Sequence, residues 1–242
     1  MKKRIIHELA ALHERAPAFR DRAAAGRALA GMLERFRGSA ALILAIPAGG
    51  VPVAAEMAAR LGLPLEAAPV SKVLLPWTTE AGYGAVAFDG TVWIDERAAR
   101  HHGLSDEEVA RGVAEARAKV ERRLARLRAG RPLPDFTALT VIVVDDGIAA
   151  GSTLRTAIAA LRQQRAGRII VAVPTGHERA LVAIAGLADE VYCANVRGGL
   201  SFAVADAYEQ WRDVSEEEVV AILRPMAAAR NTQRLSSRDT AD

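Results

Sequence analysis

Apolar residues along this chain follow two rhythms, and the switches between them divide it into elements. Short runs rich in β-branched residues, Ala41 to Ile46, Val141 to Val144, Arg168 to Val173 and Glu190 to Val196, predict strands buried on both faces. Elsewhere the spacing changes to three and four. Leu29, Met32, Leu33 and Phe36 predict a helix from about Ala24 to Phe36, broken at Gly38, and Val51 to Leu61 predicts another, closed by Gly62. Leu65 to Val73 starts as one more strand and runs out at Lys72. In the turn-rich stretch that follows, Phe88-Asp89-Gly90-Thr91 lies between apolar runs and predicts a β-hairpin.

From Ser105 to Arg128 the signals favour a long helix. Ser105 and Glu108 form a capping box, Val109, Val113, Ala116, Val120, Leu124 and Leu127 make one apolar stripe, and Gly130 ends it. Glu115 and Lys119 are spaced as an i,i+4 pair, and Arg122, Arg123, Arg126 and Arg128 read as a solvated face favoured by the helix dipole. Strands alternating with helices predict an α/β fold: a mostly parallel twisted sheet with helices on both faces.

Bulk properties narrow the setting. With 242 residues and 51% hydrophobic content the chain can bury one sizeable core. The expected organisation is an N-terminal extension over residues 1–18, a domain over 19–226, and a polar, patternless tail over 227–242 whose composition predicts disorder. One cysteine, Cys193, excludes a disulfide within the chain and points to a reducing cytoplasm. Charged or turn-forming residues interrupt every apolar stretch short of a membrane span, and Glu8, His13 and Glu14 break any leader-like core. A formal charge of +3, from 32 basic and 29 acidic residues, is too balanced to predict a nucleic-acid partner.

The chemistry concentrates in Val141 to Thr153, VIVVDDGIAAGST. An apolar strand presents polar groups only at its end, so Asp145 and Asp146 are expected at the C-terminal edge of the sheet, where open α/β sheets bind ligands. The turn Ala149, Ala150, Gly151, Ser152 and Thr153 has no bulky side chain, so its amides and the helix start can converge on an anion such as phosphate. Paired acids one turn before an anion nest suit a ligand with vicinal hydroxyls and a phosphate, such as ribose 5-phosphate. Pro47-Ala48-Gly49-Gly50, between a strand and a helix, is placed to be a second anion-binding turn, since its glycines let amides approach an oxygen closely, or else a helix-initiating turn that only packs.

VIVVDDGIAAGST resembles the phosphoribosyl pyrophosphate (PRPP) motif of type I phosphoribosyltransferases, and the likeness to a little-characterised stand-alone branch covers roughly Phe19 to Met226. It implies that Asp145 and Asp146 face the ribose hydroxyls, that Ala149 to Thr153 hold the 5-phosphate, and that Ala48, Gly49, Gly50 and Lys72 take pyrophosphate. Many relatives have Thr where Ala150 stands, and a basic residue often accompanies the glycines where this chain has Ala48. The resemblance also makes Trp77 to Gly84 a mobile loop over the ligand, with Gly82 and Gly84 as hinges and Thr79, Glu80 and Tyr83 facing it; burial of Trp77 and Tyr83 against the domain is the alternative. The hairpin and long helix would then be inserted over the active-site edge. His177 is a candidate acceptor contact, with an ordinary surface turn as the alternative. Phe202, Tyr208 and Trp211 are candidates to stack a planar base or to fill the core.

The expected activity is transfer of the 5-phosphoribosyl group from PRPP to a nitrogen acceptor, a nucleobase foremost, with release of pyrophosphate. Mg²⁺ would be held mainly through PRPP and water, with Asp145 and Asp146 as its possible protein ligands. Partners are small molecules, with no membrane and a homo-oligomer as an open option. The alternatives are a PRPP sensor without turnover and a PRPP-related hydrolase.

Overall fold

The computed structural model describes residues 6–78, 81–128, 130–199 and 201–225. Six strands form an all-parallel sheet in the order β1 (Ile6–His7), β9 (Glu190–Arg197), β8 (Arg168–His177), β7 (Thr140–Val144), β2 (Leu42–Ala45) and β3 (Leu65–Ala67). Alternation along each central strand sends successive apolar side chains to opposite faces. Ile43, Ile142 and Ile170 face a core shared with α1 (Arg22–Met32) and α2 (Gly50–Leu61). Leu44, Val143 and Val171 face a second core, with α5 (Ser152–Gln163) and α6 (Glu178–Ala185). Burial on both sides is why these strands carry no polar alternation, and why polar chemistry is confined to their ends.

The expected strand from Leu65 to Val73 is two strands. β3 stays at the sheet edge beside β2, and β4 (Ser71–Leu74) leaves to pair with β5 (Gly82–Val86) in a separate antiparallel sheet completed by β6 (Val92–Ile94). Pro69 lies in the break, where it has no N–H to continue the ladder. The Phe88 to Thr91 turn forms as expected, with the Ala87 amide donating to the Thr91 carbonyl at 2.8 Å and Gly90 at φ +89°.

After α3 (Glu96–His101), helix α4 (Asp106–Arg128) packs its apolar stripe on this small sheet through Ala116 and Val120. Its capping box forms: Ser105 Oγ accepts from the Glu108 amide and Glu108 Oε2 accepts from the Ser105 amide. At its far end the buried Arg128 donates to Glu66 Oε2 of β3 at 2.7 Å, tying the inserted helix to the main sheet. Within residues 1–18, Ile6–His7 pair with Val191 and Tyr192 at the sheet edge. The expected tail, 227–242, lies outside the described residues. Among the described residues no helix is long and apolar enough to cross a membrane.

Candidate active site

The C-terminal ends of β2 and β7, the starts of α2 and α5, and a roof from β4 and α4 enclose a cavity of about 390 Å³. Asp145, Asp146, Ala149 to Thr153, Ala48, Gly49 and Lys72 all line it. Two segments separated by roughly a hundred residues of chain meet here because β2 and β7 are neighbours in register, Ala45 opposite Val144. Their contact is intimate. A Cβ on Gly49 would sit 1.8 Å from Asp146 Oδ2, and one on Gly50 would sit 2.7 Å from the Val144 carbonyl, so the glycines make room for the acidic pair.

The two carboxylates have different surroundings. Asp145 accepts from the Asp146 amide at 2.9 Å, and burial, followed by the neighbouring Asp146 charge, raises its pKa well above the usual carboxylate range. Asp146 Oδ2 instead accepts from Arg22 Nε at 3.0 Å and Nη2 at 2.8 Å. Arg22 is itself buried, donates to the Arg212 carbonyl, and lies over the Trp211 ring at 4.0 Å. Tyr208, whose phenol is held protonated by burial, donates to the Asp146 carbonyl at 2.7 Å.

The loop after the acids closes on Gly151, at φ +81°, which is the N-cap of α5. No side chain caps that helix, so its first-turn amides keep their capacity for an anion. Ile148 pins the loop to β8: its amide donates to the Thr175 carbonyl at 3.0 Å.

Other expectations are corrected. Tyr83 is buried between the small sheet and α4, where it fills the core and does not face the cavity. Gly82 and Gly84 belong to β5, with Cβ positions 2.8 Å from the Val73 carbonyl and 2.5 Å from the Trp93 carbonyl; close cross-strand approach, not hinging, requires them. Thr79 and Glu80 lie outside the described residues. His177 does not line the cavity: Nδ1 accepts from the Arg179 amide to cap α6, and Nε2 donates to the Gly199 carbonyl at 3.1 Å. Phe202 packs against His177 and Arg197, and Tyr208 and Trp211 pack around Arg22, so no aromatic side chain among the described residues lines the cavity.

Arg22, Lys119 and Arg123 were missed by sequence reasoning. Lys119 and Arg123 of α4 line the cavity, although their helix face reads as solvated and Lys119 as paired with Glu115. Their spacing of four was the available signal, since it puts both on one face. Arg22, at a helix start, has no such signal.

An all-parallel α/β sheet with paired acids and an uncapped helix start at one edge cavity defines the class of this protein. The chain belongs to the phosphoribosyl transferase domain family, whose model matches residues 18–207. Two Mycobacterium tuberculosis proteins, from strains CDC 1551 and H37Rv and each provisionally named a phosphoribosyl transferase, are 37% identical over 207 residues, covering 85% of this chain and 46% of theirs. The chain thus spans about half the length of the curated relatives it matches. The crystal structure of TT1426 from Thermus thermophilus is similar over 85% of this chain and 97% of that one, at 34% identity and a TM-score of 0.70.

Proposed function

We propose that this protein transfers the 5-phosphoribosyl group of PRPP to a nitrogen acceptor with release of pyrophosphate. The observation that carries this reading is the meeting of Asp145, Asp146, the small-residue loop before α5 and the Gly49 turn in one cavity. The 5-phosphate takes the α5 start and the amides of Ala149 to Thr153. Asp145, whose pKa burial and the Asp146 charge raise, faces one ribose hydroxyl, while Asp146, oriented by Arg22, faces the other.

As the C1–oxygen bond breaks, its electron pair leaves with the diphosphate, the acceptor nitrogen bonds to C1, and an N–H acceptor gives up its proton to water. The positive charge growing at C1 is offset by Asp146, and alignment supplies much of the acceleration. Among the described residues no group of three or more His, Cys, Asp or Glu is arranged to hold a metal, and Arg22 occupies one oxygen of Asp146. Asp145 and the Asp146 oxygen that Arg22 does not engage are the carboxylate oxygens that would contact a Mg²⁺ ion carried mainly by PRPP and water. Mg²⁺ held there would neutralise charge on the leaving group. The nucleobase preference gains no support from stacking, because the cavity has no aromatic wall among the described residues.

Phosphorus NMR of PRPP with Mg²⁺, protein and pooled nucleobases, beside a base-free control, tests the reading. Pyrophosphate released only with bases, and lost in an Asp145→Asn, Asp146→Asn double variant that remains folded, is the expected result. Intact PRPP with shifted lines would favour a sensor, release without bases a hydrolase, and unperturbed lines would overturn the site.

A further inference from the structure

The turn Pro47 to Gly50 carries no charge, yet the ligand proposed above brings a diphosphate to that end of the cavity. Three cations from the inserted elements line the same cavity: Lys72 of β4, and Lys119 and Arg123 of α4. Lys72 and Lys119 have no ion-pair partner among the described residues, and the expected Glu115 to Lys119 pair does not form. Arg123 is different, because its side chain is only 22% exposed and its Nε donates to Glu216 Oε1 at 2.9 Å. Among the described residues no hydrogen bond engages its two Nη groups, which leaves the side chain, itself part of the cavity lining, with donors to spare. Glu216 is itself fixed from its other oxygen by Arg126 Nη1 at 3.1 Å.

We propose that Lys119 and Arg123 of the inserted helix supply the diphosphate-binding charge that Ala48 lacks, and that Glu216 at the start of the helical segment 216–225 is a positioning residue that aims Arg123 into the cavity. The inference rests on the PRPP reading. Its physical basis is the fixed fork of a guanidinium: with Nε tied down, both amino groups stay in one plane and suit two oxygens of one phosphate. Because Arg126 holds Glu216 in turn, the orientation of Arg123 depends on the contact between α4 and residues 216–217. Mg²⁺-pyrophosphate should therefore sense substitutions far from the acidic motif.

Calorimetric titration of the full chain with Mg²⁺-pyrophosphate and, separately, with ribose 5-phosphate tests this. Arg123→Met and Lys119→Met are each expected to weaken pyrophosphate binding about ten- to a hundred-fold, the worth of a charge-assisted hydrogen bond, and to leave ribose 5-phosphate binding within about two-fold. Arg123→Lys should recover only part of the loss. Glu216→Ala should weaken pyrophosphate several-fold through misorientation, raising the PRPP KM more than it lowers kcat. Tighter pyrophosphate binding in Glu216→Ala would overturn the positioning role and make Glu216 a competitor. Unchanged pyrophosphate affinity in both α4 variants, with ribose 5-phosphate still bound, would overturn the inference and spare the PRPP reading. A wild-type chain that binds neither probe would overturn both.

Discussion

Arg22 places two nitrogens on a single oxygen of Asp146, at 3.0 and 2.8 Å, across 124 positions of sequence. This bond, with the Trp211 ring packed on the guanidinium, leaves Asp146 one free oxygen and one orientation. Arg22→Met should destabilise the fold by about 3 kcal/mol, since it strands a largely buried carboxylate. The same change should raise the PRPP KM. A double-mutant cycle with Asp146→Asn, read by urea unfolding, should show the two losses adding to more than the double variant costs. Strict additivity would mean that the pair has no energetic coupling.

Two carboxyl groups should shape the pH dependence of stability in opposite senses. Glu190, although burial alone would raise it, is pulled down to about 2 from 4.5 by hydrogen bonds from Arg35, Tyr192 and His7. Its contribution is present above pH 4.5 and is lost as pH falls towards 2, where the native state must take up a proton that the unfolded chain already holds. Asp145 is raised above 3.8, so its native state retains a proton after the unfolded chain has released it, and stability falls as pH rises through that window. Urea midpoints measured across pH should show Glu190→Gln flattening the acid limb and Asp145→Asn flattening the limb above it. Unaltered limbs in both variants would refute the assignment.

Gly49→Ala should lower activity further than the loss of the Arg22–Asp146 bond alone explains, in a chain that still folds. The added Cβ would land 1.8 Å from Asp146 Oδ2, so Asp146 must shift by about an ångström or more away from its bond with Arg22. A displacement of that size costs about 10²-fold in turnover. Steady-state kinetics with PRPP should record the loss while circular dichroism shows a folded chain, and full activity would refute the packing of the two loops.

Two helical glycines should respond to alanine with opposite signs. Gly31 of α1 has nothing within 4 Å of its Cβ position, so Gly31→Ala should stabilise by about 0.5–1 kcal/mol. At Gly112 of α4 the Cβ would meet the Tyr83 hydroxyl at 2.7 Å and Val73 Cγ1 at 3.0 Å. Overpacking there costs about 1–3 kcal/mol, which outweighs the gain in helix propensity, so Gly112→Ala should loosen α4 from the small sheet. Thermal unfolding of the pair checks both signs.

What could be read before folding was whatever is periodic or contiguous. Unbroken apolar runs announced strands buried on both faces, the stripe from Val109 to Leu127 announced α4, and Asp145, Asp146 and the small residues after them announced an acidic strand end followed by a small-residue turn. Each depends on neighbours within one or two turns of chain, where spacing alone decides which side chains share a face.

Other features depended on residues brought together from distant positions. Pro69 divided an apparently single strand, and Tyr83 became core because α4 covers it. Arg22, Lys119 and Arg123 joined the site from a helix start and an inserted helix whose local patterns describe ordinary caps and solvated faces. The sequence by itself determined the parallel α/β sheet and its acidic, phosphate-shaped edge, because hydrophobic periodicity and turn chemistry are local. Only the tertiary structure decided which cations line that cavity and which carboxylate burial pushes to a raised pKa, because charge acts through space and burial, neither of which is written along the chain.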